Sequence, residues 1–350
     1  MKWLTSFSAV LGRLLSFRRA PSPGVTWNHL LSTIAIIGVL QASLFSYSYI
    51  VKRNPTKIIT SRIPAALAAP TAPTFAYNIF GEWGEGALVK PMAVAVAGQR
   101  IYVSDTGNQR VQVFDYDGKP VMKIGKAGQG PGEFRFPYGI AVDGSGQVYV
   151  ADLYNGDIQV FSPDGQFLRY FGEVDPTSDI ITGPAGLTLS GDRLYVADVR
   201  KCQVLVFSLD GRLQQTIGAK GEKPGQLASP NFVAVNGDRV YVVDTGNDRV
   251  EVFGTDGKFI EAFDGGSGSG DSLVVNPRGI AFDGRGVLYV VSNLTNHVHG
   301  FDRDGKRFFS LGNVGADDGK FYLPNGLAID DQGRVYVTDT ANGRVVVFQI

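Results

Sequence analysis

Pro137-Tyr-Gly-Ile-Ala-Val142 and, after the short turn Asp143–Gln147, Val148-Tyr-Val-Ala-Asp152 are the stretch that decides the fold. Apolar residues without helical spacing, cut by a Gly-rich turn, read as two short antiparallel strands. The same stretch recurs along the chain. Its opening proline stands at Pro91, Pro137, Pro184, Pro230, Pro277 and Pro324, in steps of 46 or 47. Its second strand returns as Ile101-Tyr-Val-Ser-Asp105, Leu194-Tyr-Val-Ala-Asp198, Val240-Tyr-Val-Val-Asp244, Leu288-Tyr-Val-Val-Ser292 and Val335-Tyr-Val-Thr-Asp339. A third strand closes on Phe114, Phe161, Phe207, Phe253, Phe301 and Phe348. Asp-Gly, a strong hairpin signal, then leads into a fourth strand in five copies, at positions 117, 164, 210, 256 and 304. Four antiparallel strands in about 46 residues is the unit of a β-propeller blade. The expected fold is therefore all-β, a six-bladed propeller.

The chain ends predict how the ring closes. The sixth copy stops at Phe348-Gln349-Ile350, before its Asp-Gly turn, and an orphan strand, Ala76-Tyr-Asn-Ile-Phe-Gly81, precedes the first copy. An N-terminal strand is thus expected to complete the last blade and remove a bare sheet edge. The propeller is assigned to residues 75–350.

In the loop before the third strand, three copies read Asp105…Asn108-Gln-Arg110, Asp244…Asn247-Asp-Arg249 and Asp339…Asn342-Gly-Arg344. This resembles the NHL-repeat family of six-bladed propellers. Three copies depart from it, with Asp157, with Lys201 and Gln203, and with Ser292, Thr295 and His297. The repeated Asp is expected to accept backbone N–H bonds across the turn that follows it, and the Arg to face it across the hairpin. Polar groups that recur in every blade serve the fold; a site belongs where blades differ.

Residues 1–74 read as an address. They hold eight Lys and Arg and no Asp or Glu, so the rest of the chain carries a formal charge of −8. That body lacks the concentrated positive face nucleic acid requires. Leu30–Val51 is uncharged and long enough for a transmembrane helix, flanked by Trp27, Tyr47 and Tyr49. The expected order is a basic tail (1–29), a membrane span (30–51) serving as an uncleaved signal-anchor, and a Pro/Ala/Thr-rich tether (52–74). A cleaved signal peptide and a transit peptide are the competing readings. The topology expected is a single-pass protein of a bacterial inner membrane with its propeller in the periplasm.

First strands line a propeller's channel, so the residue after each proline can carry a site: Met92, Tyr138, Ala185, Asn231, Arg278 and Asn325. Tyr138, Asn231, Arg278 and Asn325 are the candidate ligand-binding residues at the channel mouth, suited to a small polar or anionic ligand. No catalytic or metal-ligating residue is assigned and no cofactor is expected. The resemblance suggests one alternative, a metal-dependent hydrolase or lyase of the calcium-lactonase or zinc amidating-lyase type. His297 and His299 share a strand face but fall short of the three or four ligands zinc takes, and no channel position is acidic. Gly125-Lys-Ala-Gly128-Gln-Gly130 looks like a phosphate loop without its helix, and Asn293-Leu-Thr295 matches a glycosylation sequon. A lone Cys202 excludes an intrachain disulfide. The function expected is a membrane-tethered scaffold that binds a protein partner or small polar ligand; a sensor passing a signal through the span is a further reading.

Overall fold

The computed structural model describes residues 70–82, 84–172, 179–266 and 272–350. The expected basic tail and membrane span and most of the expected tether lie outside them. Among the described residues no helix is long and apolar enough to cross a membrane.

Six four-stranded antiparallel sheets follow the six sequence copies. Blade one comprises Pro91–Ala97, Arg100–Asp105, Arg110–Asp115 and Pro120–Ile124. Blades two to five begin at Pro137, Pro184, Pro230 and Pro277, in the same order of strands. Blade six takes three strands from the C-terminus, Pro324–Ile329, Arg334–Asp339 and Arg344–Gln349, and its outermost one, Thr74–Ile79, from the N-terminus. Thr74 lies opposite Gln349 and Ile79 opposite Val345, and Phe75 packs edge-on against Phe348 at 6.3 Å. The closing strand starts two residues earlier than Ala76 because the ladder extends to Gln349.

The second strands explain how one short motif builds the core. Val148 and Val150 pack in the seam with blade one, while Tyr149 and Ala151 pack in the seam with blade three. A strand buried on both faces is apolar throughout. The same alternation in every blade yields six apolar clusters, one per seam. The third-strand phenylalanines are all buried, each stabilising by about 2 to 3 kcal/mol.

Each first strand carries an irregularity just after its proline. Pro184 pairs with Asp198, then the register shifts before Leu187, and the other five blades do the same. The two residues in this bulge face the channel and the next blade. Gly186 sits there because a Cβ would lie 2.5 Å from the Asn231 carbonyl of blade four, and Gly326 because one would lie 2.6 Å from the Ala93 backbone of blade one. Side-chain hydrogen bonds fasten successive blades at the same level. Thr106, Thr245 and Thr340 donate to the carbonyls of Pro137, Pro277 and Pro91 at 2.6, 2.6 and 2.7 Å, and Asn293 to Pro324 at 2.8 Å. Leu153 and Val199 occupy the equivalent positions in blades two and three and pack instead on the channel cluster.

This topology gives the ring two unlike faces. One, the loop face, carries the connections between blades and the turns between second and third strands. The other, the hairpin face, carries the tight hairpins. First strands start on the loop face, so the channel mouth candidates open there. Thr74 lies opposite the end of the last third strand, so the chain joins the propeller on the hairpin face.

Candidate functional site

The structure brings the four candidate residues together from four blades. The Tyr138 hydroxyl crosses the channel and donates to Asn231 Oδ1 at 2.7 Å, and it stands 3.5 Å from Asn325 Oδ1. The Arg278 guanidinium donates to Asn231 Oδ1 at 2.9 Å and to Asn276 Oδ1 at 3.0 Å. Thr245 and Thr340, already fixed on the next blade, hold the Asn231 and Asn325 amide nitrogens at 3.0 and 3.1 Å and turn both carbonyl oxygens inward. Tyr138 is 2% exposed and both asparagines 5%. The ring is a plug satisfied by its own hydrogen bonds, and only Arg278 keeps partial access to solvent. Burial pushes the Tyr138 phenol above its ordinary range, which the Arg278 charge partly offsets, so it stays a neutral donor. The plug contains one permanent cation, no carboxylate and no imidazole.

Around this plug lies a second ring that sequence reasoning missed. The residue two places before each proline is Val89, Arg135, Thr182, Ala228, Val275 or Tyr322. The backbone N–H of each is held by the repeated second-strand acid or serine of its blade. Val89 donates to Asp105 at 2.7 Å, Arg135 to Asp152 at 2.6 Å, Thr182 to Asp198 at 2.7 Å, and Ala228 to Asp244 at 2.6 Å. Val275 donates to Ser292 at 2.9 Å and Tyr322 to Asp339 at 2.6 Å. This corrects the expected role of the Asp. It reaches back sixteen or so residues to the loop arriving from the previous blade, and only in blades two and three does it also accept N–H groups of the turn that follows, from Tyr154 and Asn155 and from Arg200 and Lys201. In the other three Asp blades that turn is held by Asn and Arg side chains: Asn108, Asn247 and Asn342 donate to the Asp, and Arg110, Arg249 and Arg344 pair with it at 2.8, 3.0 and 2.8 Å.

The same split decides what the turns display. Blades one, four and six fold them into a 3₁₀ turn with Gly107, Gly246 or Ala341 second in it; a Cβ on Gly107 would strike Val89 and one on Gly246 would strike Ala228. Blades two, three and five, the three that depart from the Asp…Arg pattern, present Tyr154, Arg200 and Leu294 at that place. Tyr154 is 52% exposed and Leu294 59%, and Arg200 is exposed too. The recoverable signal was the register itself: a large residue where the regular copies keep Gly or Ala.

Other candidates resolve into structure. The rings of His297 and His299 stack at 5.7 Å. His299 Nδ1 is 2.8 Å from Ser310 Oγ, and burial, the neighbouring His297 and Arg307 push it down to about 4. Among the described residues no three His, Cys, Asp or Glu side chains are grouped to hold a metal. The N–H groups of Gln129 and Gly130, in the phosphate-loop look-alike, already bond to the Glu133 carboxylate at 3.2 and 3.1 Å. Asn293 of the sequon is buried and spends its amide on Pro324. Cys202 is buried with φ 55°, at the turn position also held in the left-handed region by Gln109, Gly156, Asp248, Asn296 and Gly343. Of the glycine-rich stretch Gly265-Gly-Ser-Gly-Ser-Gly270, a further loop of the kind that could meet a partner, only Gly265 and Gly266 are among the described residues.

Comparison with known proteins agrees with this geometry. A family model described as a 6-bladed beta-propeller matches residues 85–170 and 176–264, half of the chain. The chain belongs to this six-bladed β-propeller family. An NHL-repeat model matches residues 321–348, in blade six. Protein brain tumor of Drosophila melanogaster is 32% identical over 115 residues, which cover 31% of this chain and 11% of that protein. The E3 ubiquitin-protein ligase NHLRC1 of Mus musculus is 37% identical over 84 residues, 23% of this chain and 20% of that protein. The chain thus spans about a tenth and a fifth of these relatives. Among solved structures, a gluconolactonase of Xanthomonas campestris superposes with a TM-score of 0.57 at 20% identity, covering 81% of this propeller's chain and 98% of its own. That likeness is one of fold alone.

Proposed function

We propose that this propeller is a membrane-tethered binding scaffold that engages a protein partner, or a small polar ligand, on its loop face around Tyr138, Asn231, Arg278 and Asn325. One observation carries the reading: a constant hydrogen-bonded frame displays two rings of side chains that differ from blade to blade, around a plug with no base and no metal cage. Binding residues concentrate on loops held by a rigid scaffold. The uncharged run 30–51 and the Pro/Ala/Thr-rich stretch after it support a span and a tether, with the propeller on the periplasmic side.

Two measurements test this. The full chain stays in the membrane pellet after alkaline extraction, and protease added to spheroplasts cuts the tether; release by alkali, or cutting only after lysis, would overturn the tethering. Photo-crosslinkers placed at Tyr154 and Tyr322 capture a partner in intact cells, whereas one at Arg100 on the hairpin face does not. Stoichiometric zinc or calcium, with chelator-sensitive lactone or amide-lyase turnover, would instead establish the hydrolase or lyase alternative.

A further inference from the structure

Three arginines crowd the loop face near the mouth: Arg135 from the outer ring, Arg200 from the blade-three turn, and Arg278 in the plug. Among the described residues none of the three has a carboxylate within 4.0 Å, although thirteen such ion pairs form elsewhere. Among the described residues, three guanidinium groups without an ion-pair partner thus stand on one face of a body whose net charge is −8. Arg200 is also fixed in place. Its guanidinium donates to the Thr182 carbonyl at 2.6 Å and the Leu153 carbonyl at 3.2 Å, and its stem lies over Gly183, where a Cβ would come within 2.6 Å of it. A guanidinium pinned on two carbonyls loses little freedom when it takes a carboxylate.

Between the arginines runs an aromatic series. Arg135 lies over the Tyr154 ring at 6.0 Å, Tyr154 packs on Phe136 at 4.5 Å, and Phe136 on Tyr138 at 6.1 Å. It connects an exposed ring to the buried plug. All three displaying features, Arg135, Tyr154 and Arg200, belong to blades two and three, two of the three blades that abandon the Asp…Arg turn.

We infer that the seam of blades two and three docks an acidic segment of a partner protein, its Asp or Glu side chains on Arg135 and Arg200 and an apolar residue against Tyr154. This deepens the loop-face reading and rests on it. Arginine forks match carboxylates in two-point contacts, and aromatic and arginine residues anchor protein interfaces. Complementary charge also directs the approach of a partner.

The test is a selection of random dodecapeptides displayed on phage against the full chain held in mild detergent, repeated with the Arg135→Gln/Arg200→Gln double variant and with Arg100→Gln. The expected winners carry Asp and Glu at about twice their frequency in the library or more. They lose binding when Tyr154 becomes Ser, and the acidic bias disappears with the double variant but persists with Arg100→Gln. Winners that lack acidic bias, an absence of winners, or a bias untouched by the double variant would each overturn the inference. Winners without acidic bias that still depend on Tyr154 would overturn it while leaving the loop-face reading standing; winners insensitive to Tyr154 and to both arginines would sink both.

Discussion

Asp157 offers the sharpest check on the physics of the seams. It stands where the regular blades have Arg, directly across the ladder from Asp152. In blade one the same place holds Arg110, 2.8 Å from Asp105; in blade two two carboxylates share it, and Asp157 Oδ1 is buried without a hydrogen-bond partner. Burial, then the Asp152 charge, lifts the Asp157 carboxyl from its ordinary 3.8 up to about 7. The folded chain therefore holds this proton more tightly than the unfolded chain. The penalty is absent below pH 4, grows as pH rises, and is complete above about pH 7. At about 1.4 kcal/mol per factor of ten in proton affinity the full penalty is about 4 kcal/mol, and water reaching the partly exposed group reduces it to about 2. Asp157→Asn removes the charge and keeps the shape. It is expected to stabilise the propeller by about 2 kcal/mol at pH 8, a rise in melting temperature of about 3 to 4 °C, and by nearly nothing at pH 4. The assay is thermal melting followed by far-ultraviolet circular dichroism across that pH range. Equal melting of variant and parent at pH 8, or a gain that does not depend on pH, would refute the like-charge account.

Three further outcomes follow from the fold. Gly186→Ala places a Cβ 2.5 Å from the Asn231 carbonyl and the Phe232 ring and should cost about 2 to 3 kcal/mol in urea unfolding, whereas Gly191→Ala, on an open hairpin with nothing within 4 Å, should cost only its backbone strain of about 1 kcal/mol. Thr245→Val deletes the bonds to Pro277 and Asn231 and should lower stability by about 1 to 3 kcal/mol, measured by the same unfolding curves. A chain beginning at Glu82 loses the closing strand and should elute as aggregate in size-exclusion chromatography, while one beginning at Pro70 elutes as a single species.

The blade count, the strand order and the closing strand were legible in the sequence because they rest on local periodicity: an alternation such as Val148-Tyr-Val-Ala-Asp152 can satisfy both of its faces only between two other blades. The four channel candidates were legible from register, since a fixed offset from the proline puts every copy at the same height. Their hydrogen bonding to one another was not, because Tyr138 and Asn325 are 187 positions apart and nothing in either neighbourhood reports the width of the channel. The outer ring escaped for a related reason. Asp105 precedes Arg110 by five positions, so the pair draws attention forward, while the bond that presents Val89 runs backward across the first two strands of the blade. Nothing in the sequence around Cys202 signals a left-handed backbone, which appears only when the six copies are compared in space.

The strand Thr74–Ile79 has a consequence for mechanics. It seals the ring, and it is also the segment through which the preceding residues join the propeller. A pull on the chain before Thr74 is borne first by the Thr74–Gln349 pair at the edge of blade six, and an antiparallel ladder loaded at one end yields bond by bond instead of all at once. Tension on that part of the chain would thus peel away the outermost strand and expose the edge of blade six well before any other seam is strained.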